Sequence, residues 1–263
     1  MRSFNNLFLI LFFLYFGFNQ SILATESYST AALINISGMQ RMLSQKVTKS
    51  YLFYGLGISP ENTQQQLIDS VILFNQNYDI LLNHCQDEEV QDLLMFVEMI
   101  KKELLPLSET PYSKANAVLM LEFSETLLEA SEAVVQRIET KIKKKHYQII
   151  NVSGRQRMLT QRIAKFYIAY QAGFKNINTI QQLNKAIQEF EQALKVLMDY
   201  KQNSSKISQI LQQVKQQWTV VSPFYKKVKK GDLPIVVLSS TDKIMTLMDQ
   251  TTRLYVNLDH VED

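Results

Sequence analysis

Residues 34–57 read INISGMQRMLSQKVTKSYLFYGLG, and residues 150–173 read INVSGRQRMLTQRIAKFYIAYQAG. More than half of the aligned positions are identical. Most of the others are conservative exchanges, such as Ile36 with Val152, Ser44 with Thr160 and Lys46 with Arg162. The register, a shift of 116 residues, persists downstream: Asn62, Thr63, Gln65, Gln66 and Leu67 meet Asn178, Thr179, Gln181, Gln182 and Leu183, and Phe74 meets Phe190. With one residue inserted, Pro106 then meets Pro223. A match held over so long a span marks an internal duplication, which has to be recognised before any single element is assigned.

Each copy reads as four helical stretches. Gly and Pro number only 7 and 5, and the chain is rich in good helix formers. Apolar residues recur at spacings of three and four, as in Leu67, Val71, Phe74, Tyr78 and Leu81. The expected helices of copy one span 29–54, 60–83 (Ser59 capping, Pro60 at the first turn) and 87–105, with a fourth from 113. Those of copy two span 147–172, 178–201, 204–221 and 239–258. The third helix is expected to stop before Pro106. The fold class that follows is all-α, with two tandem up-down-up-down four-helix bundles at 25–140 and 141–263. Because 113–154 holds no Pro and its only Gly is Gly154, the junction is expected to be one long shared helix that stacks the bundles end to end. A turn at 143–146 that folds the copies side by side is the alternative.

On a helix at about 100° per residue, Ile36, Met39, Leu43, Val47 and Tyr54 share a core face. Ser37, Arg41, Ser44 and Thr48 share a second face; copy two places Ser153, Arg157, Thr160 and Ala164 there. Small residues admit a close neighbour, and a guanidinium is a rigid fork suited to planar oxyanions. Gly38 and Gly154 each cost about 1 kcal/mol relative to Ala inside a helix, so their recurrence points to close backbone approach. The simpler account of Arg41 and Arg157 pairs them with carboxylates of neighbouring helices, Glu122, Glu125 and Glu129 being candidates.

The start of the chain reads as an export signal at 1–24: Arg2, then an apolar run over 7–18, then a small residue at Ala24. The run falls short of the ~20 residues that span a bilayer; an uncleaved anchor is the alternative. The formal net charge is +3, of which Arg2 supplies one, too weak a balance to argue for nucleic acid. A single cysteine, Cys85, excludes a disulfide framework within the chain. Three scattered histidines, His84, His146 and His260, offer no metal-ligand spacing. Neither a nucleophile elbow nor a phosphate loop is present, so neither an enzyme nor a cofactor is expected.

The repeated segment resembles the signature of the type IV pilus methyl-accepting chemotaxis transducer N-terminal domain. That family is related to the periplasmic sensor module of nitrate/nitrite sensor kinases, where the corresponding segment is called the P-box. The resemblance implies a periplasmic four-helix module whose first helices pack together, with a nitrate ion held by an arginine from each of two subunits. Carried over by position, the arginine is Arg41 or Arg157, the glycine Gly38 or Gly154, and the methionine Met42 or Met158. The candidate ligand-binding set is therefore Ser37, Gly38, Arg41, Met42 and Ser44 with Ser153, Gly154, Arg157, Met158 and Thr160. The expected function is a periplasmic sensor that binds a small anion such as nitrate or nitrite and relays to a membrane-bound signalling partner. Stacked copies would need a parallel homodimer to bring two arginines together. The other reading is an adaptor whose repeated helix face docks a partner helix with no small ligand.

Overall fold

A computed structural model describes residues 28–140, 145–231 and 233–258; the expected export segment lies outside them. Among the described residues the chain is all-helical: α1 Thr30–Gly55, α2 Pro60–His84, α3 Glu88–Ser108, α4 Lys114–Thr140, α5 Lys145–Gln171, α6 Ile177–Met198, α7 Ser205–Lys226, a 3-10 turn at Val228–Lys230, and α8 Pro234–Leu258. No helix among them is long and apolar enough to cross a membrane.

The helix ends follow local chemistry. Ser29, Asp87, Asn176 and Ser204 accept backbone N–H groups of the first turns of α1, α3, α6 and α7 through their side chains. Helices α1 and α5 close in the same way. Gly57 (φ 68°) and Gly173 (φ 98°) are left-handed, and the residues after them, Ile58 and Phe174, donate back to Phe53 and Ala169. The duplication thus extends to the caps. Ser59 is itself left-handed (φ 48°) and makes no side-chain cap bond, so Pro60 alone marks the start of α2. Pro106 and Pro223 do not stop their helices; both lie inside the last turns of α3 and α7. A proline so near a C-terminus forfeits one backbone bond, and at Pro106 the freed carbonyl belongs to exposed Lys102, where water can satisfy it.

The end-to-end arrangement is corrected. The most extensive helix pairing in the molecule is α1 against α5, the first helices of the two copies. Rising along α5, Arg157 bonds Asn35 near the start of α1, whereas Lys165 bonds Ser124, whose carbonyl accepts Gln45 from mid-α1. The two first helices therefore run parallel, side by side. Helices α2 and α4 flank α1, and α6 and α8 flank α5, while α2–α3 and α6–α7 touch sparsely. The physical reason is the small-residue stripe. Ser37, Gly38 and Ser44 of α1 and Ser153, Gly154 and Thr160 of α5 are all buried, and side chains this small leave room for a close neighbour while the buried cations beside them find partners. As a result α1 and α5 are buried almost all round. Gln40 and Gln156 repeat one bond, each donating to the carbonyl of the duplicated phenylalanine, Phe74 or Phe190, at 3.0 and 2.9 Å. Cys85 is buried, and burial pushes its thiol up to about 11.

Candidate anion site between the two copies

Arg41 and Arg157 are both fully buried, 0 % exposed. Arg41 donates through Nη1 to Glu132 at 2.6 Å and through Nη2 to Asn151 of the other copy at 2.7 Å. Arg157 donates through Nη1 to Asp249 at 2.6 Å, and through Nη2 to the side-chain and main-chain oxygens of Asn35 at 2.9 and 3.3 Å. The set is reciprocal, as in a two-fold interface: Asn151 and Asp249 occupy the positions of Asn35 and Glu132 in the other copy. A Cβ built on Gly38 would stand 3.3 Å from Arg41 Nη2 and 3.5 Å from Arg157 Nη2; on Gly154 the distances are 3.3 Å to Arg157 and 3.6 Å to Arg41. Both guanidiniums therefore converge over the glycine pair, which supplies the room.

Two like charges are thus buried together. Desolvation pushes both guanidiniums down from their ordinary value, Glu132 and Asp249 pull them back up, and Arg157 is lowered further by Arg41. Burial alone would raise Glu132 and Asp249, but Arg41 and Arg157 override it and hold both carboxyls below their ordinary values. Each carboxylate is also shared with a second arginine, Arg155 on Glu132 and Arg253 on Asp249. Neither Nε of the buried pair has a partner. An orphaned charged donor in a dry site is costly. Beside Glu132 opens a cleft of about 280 Å³ that includes Glu129, Arg155, Lys185 and Glu189 in its walls.

A second pair of buried cations lies further along the interface. Lys49 and Lys165 are both 0 % exposed, and each crosses to the other copy. Lys49 meets Asp242 at 2.9 Å, and Lys165 meets Glu125 at 2.6 Å. Arg162 also binds Glu125, so this carboxylate of copy one is held by two cations of copy two. Burial lowers the Lys165 amine to about 8, while Lys165 and Arg162 outweigh burial at Glu125 and bring it down to about 2. The sign of the acid response follows. A carboxyl depressed from 4.5 to about 2 protonates first in the unfolded chain, so its stabilisation is complete above 4.5 and is lost as pH falls towards 2. The Glu125 contribution is about 3 kcal/mol; Glu132 and Asp249 act in the same direction. Urea unfolding at pH 7, 4 and 3 should show stability falling steeply below 4.5. A flat profile would remove the buried ion pairs as a source of stability.

The structure brings together Gly38, Arg41, Gly154 and Arg157. The hydroxyls of Ser37, Ser44 and Thr160 bond carbonyls of their own helices, Ile34, Arg41 and Gln156, and Ser153 bonds Thr252. Met42 and Met158 are core residues. The arginines take neither Glu122, Glu125 nor Glu129; their carboxylates are Glu132, three residues beyond Glu129 on α4, and Asp249, its counterpart on α8. Asn35 and Asn151 were not singled out either, although both lie inside the duplicated segment. The repeat carried the signal: positions identical or alike in charge in both copies, read at the shifted register, include all four.

A family model described as the N-terminal region of type IV pili methyl-accepting chemotaxis transducers (PilJ) matches residues 22–93 and 140–254. No curated protein and no solved structure matches the chain.

Proposed function

The chain belongs to the type IV pili methyl-accepting chemotaxis transducer N-terminal family, and from that premise we propose that it is a periplasmic, non-enzymatic sensor that holds one small oxyanion, such as nitrate or nitrite, between Arg41 and Arg157. Domains of this family are sensory and typically periplasmic. The observation that carries the ligand reading is the convergence of two fully buried guanidiniums from the two copies over Gly38 and Gly154, each with an orphaned Nε–H. Both arginines come from one chain, so a single chain completes the site and no homodimer is needed to bring them together. An anion there would cancel the mutual repulsion and change how α1 packs on α5. A membrane-bound signalling partner would read that change.

Isothermal titration of nitrate, nitrite and other small oxyanions into the protein should give one anion per chain. Arg41→Lys with Arg157→Lys keeps the charge but loses the planar fork, and should weaken binding by about 1.4 kcal/mol or more, tenfold. No heat with any anion, or binding unchanged in the lysine pair, overturns the reading. The 2.6 Å pairs with Glu132 and Asp249 favour a second reading, in which the arginines only lock the copies together and the protein acts as an adaptor. Absence of any anion-induced stabilisation would support that one.

A further inference from the structure

We propose that the carboxamides of Asn35 and Asn151 are built-in occupants of the oxyanion positions, and that Asn35 is the one an arriving anion displaces; this rests on the reading of the arginine pair as an anion site. A guanidinium presents Nε–H and Nη2–H side by side along one edge, a pair that two oxygens of one planar anion can accept together. In both copies that edge is half filled. The Nη2 of Arg41 meets Asn151 Oδ1 at 2.7 Å and the Nη2 of Arg157 meets Asn35 Oδ1 at 2.9 Å, while both Nε–H groups, fully buried, go unmet. A carboxamide offers one acceptor oxygen where a carboxylate, nitrite or nitrate offers two, and it is neutral where the site holds two cations. It is a planar group of similar width that satisfies half of what the edge can take.

The two occupants are not equally held. The Nδ2 of Asn151 donates to Glu139 at the end of α4, which fixes its amide. In copy two the position of Glu139 is taken by Val256, an apolar residue of α8, and the Asn35 amide has no such tether among the described residues. Asn35 and Asn151 are both half-buried beside sealed arginines, so the tether to Glu139 is what separates them. The anion would therefore enter at the Arg157 edge, replace Asn35 Oδ1, and satisfy the Arg157 Nε–H at the same time. Releasing Asn35 removes a side-chain bond that ties the first turns of α1 to α5. Ligand arrival then alters the helix pair at its N-terminal end, and Asn35 sets the threshold concentration.

Two substitutions with opposite signs test this. Asn35→Ala empties the position and should bind nitrate or nitrite about tenfold more tightly than the parent, because no internal competitor remains. It should also melt lower in anion-free buffer. Asn35→Asp installs a permanent anionic occupant; it should melt higher in anion-free buffer and lose the calorimetric response to added anion. Asn151→Ala, whose occupant is tethered, should change affinity less than Asn35→Ala. Parent protein that binds while Asn35→Ala binds equally or more weakly, or Asn35→Asp that binds as the parent does, overturns the displacement and leaves the anion site standing. No binding by the parent, by Asn35→Ala or by Asn151→Ala overturns both.

Discussion

Glu125→Ala is expected to lower the unfolding free energy by about 4 kcal/mol at pH 7, because removing one partner of a buried ion pair strands the other. Here one carboxylate serves two cations. Lys165 is completely sealed and Arg162 nearly so, and after the substitution Lys165 keeps the Ser124 hydroxyl, Arg162 keeps Gln182, and both keep the Phe166 ring, but neither keeps a carboxylate among the described residues. The damage falls on the seam between the copies, since Glu125 comes from α4 of the first and both cations from α5 of the second. Glu125 also helps keep Lys165 charged, its amine already being lowered to about 8 by burial. Without the carboxylate that amine drops further and gives up its proton near neutral pH. The unfolded lysine titrates near 10.5, so between the two values the unfolded chain binds more protons and stability rises with pH. The gap between the parent and Glu125→Ala should therefore narrow as pH rises from 7 to 10, where the parent also loses its ion pair. Urea unfolding across that range tests it. A gap under about 1 kcal/mol at pH 7, within the range of exposed pairs, would show that Glu125 works as an ordinary surface carboxylate.

How much of this could be read from the sequence depends on whether the signal was local. The helices of copy one are legible because their caps and periodicity are local: Ser29, Asp87 and the Gly57 closure each act within a turn. The exceptions are local conflicts decided by surroundings. Ser59 has the right chemistry for a cap but the wrong backbone, and Pro106 has a breaker's chemistry at a position where one lost bond matters little. The side-by-side packing was not legible in the same way. The stretch between the copies has helix-compatible residues, and nothing local distinguishes a continuous helix from two helices with a short turn. What decides it is non-local: each buried lysine finds its carboxylate on the other copy, and each buried arginine finds its asparagine there. Glu132 and Asp249 illustrate the point. Neither stands out on its own helix, but at the register set by Pro106 and Pro223 they are the same position. The arginines were visible because they sit in the best-matched part of the repeat, whereas their carboxylate partners, Glu132 and Asp249, repeat only in charge.

The glycine pair gives the most direct test of that close approach. Gly38→Ala should be nearly neutral. The new methyl would stand 3.3 Å from the end of the Arg41 side chain, which must yield a few tenths of an ångström, and the helix gains about 1 kcal/mol in propensity. Gly38→Leu is a different substitution. Its further carbons have to occupy the room taken by the Arg41 and Arg157 guanidiniums, and both are sealed from water. Overpacking costs about 1–3 kcal/mol, and dislodging a buried pair about 3–5 kcal/mol. The expected loss is about 4 kcal/mol, with any anion response abolished. Gly154→Leu should do the same, because its Cβ would meet the same two Nη2 atoms at 3.3 and 3.6 Å. The decisive measurement is the double variant. If each leucine expels the same guanidinium pair, the second has little left to disrupt, and Gly38→Leu with Gly154→Leu should cost far less than the two separate losses together. Strict additivity would mean that the glycines relieve two unrelated contacts and that the arginines do not share one space.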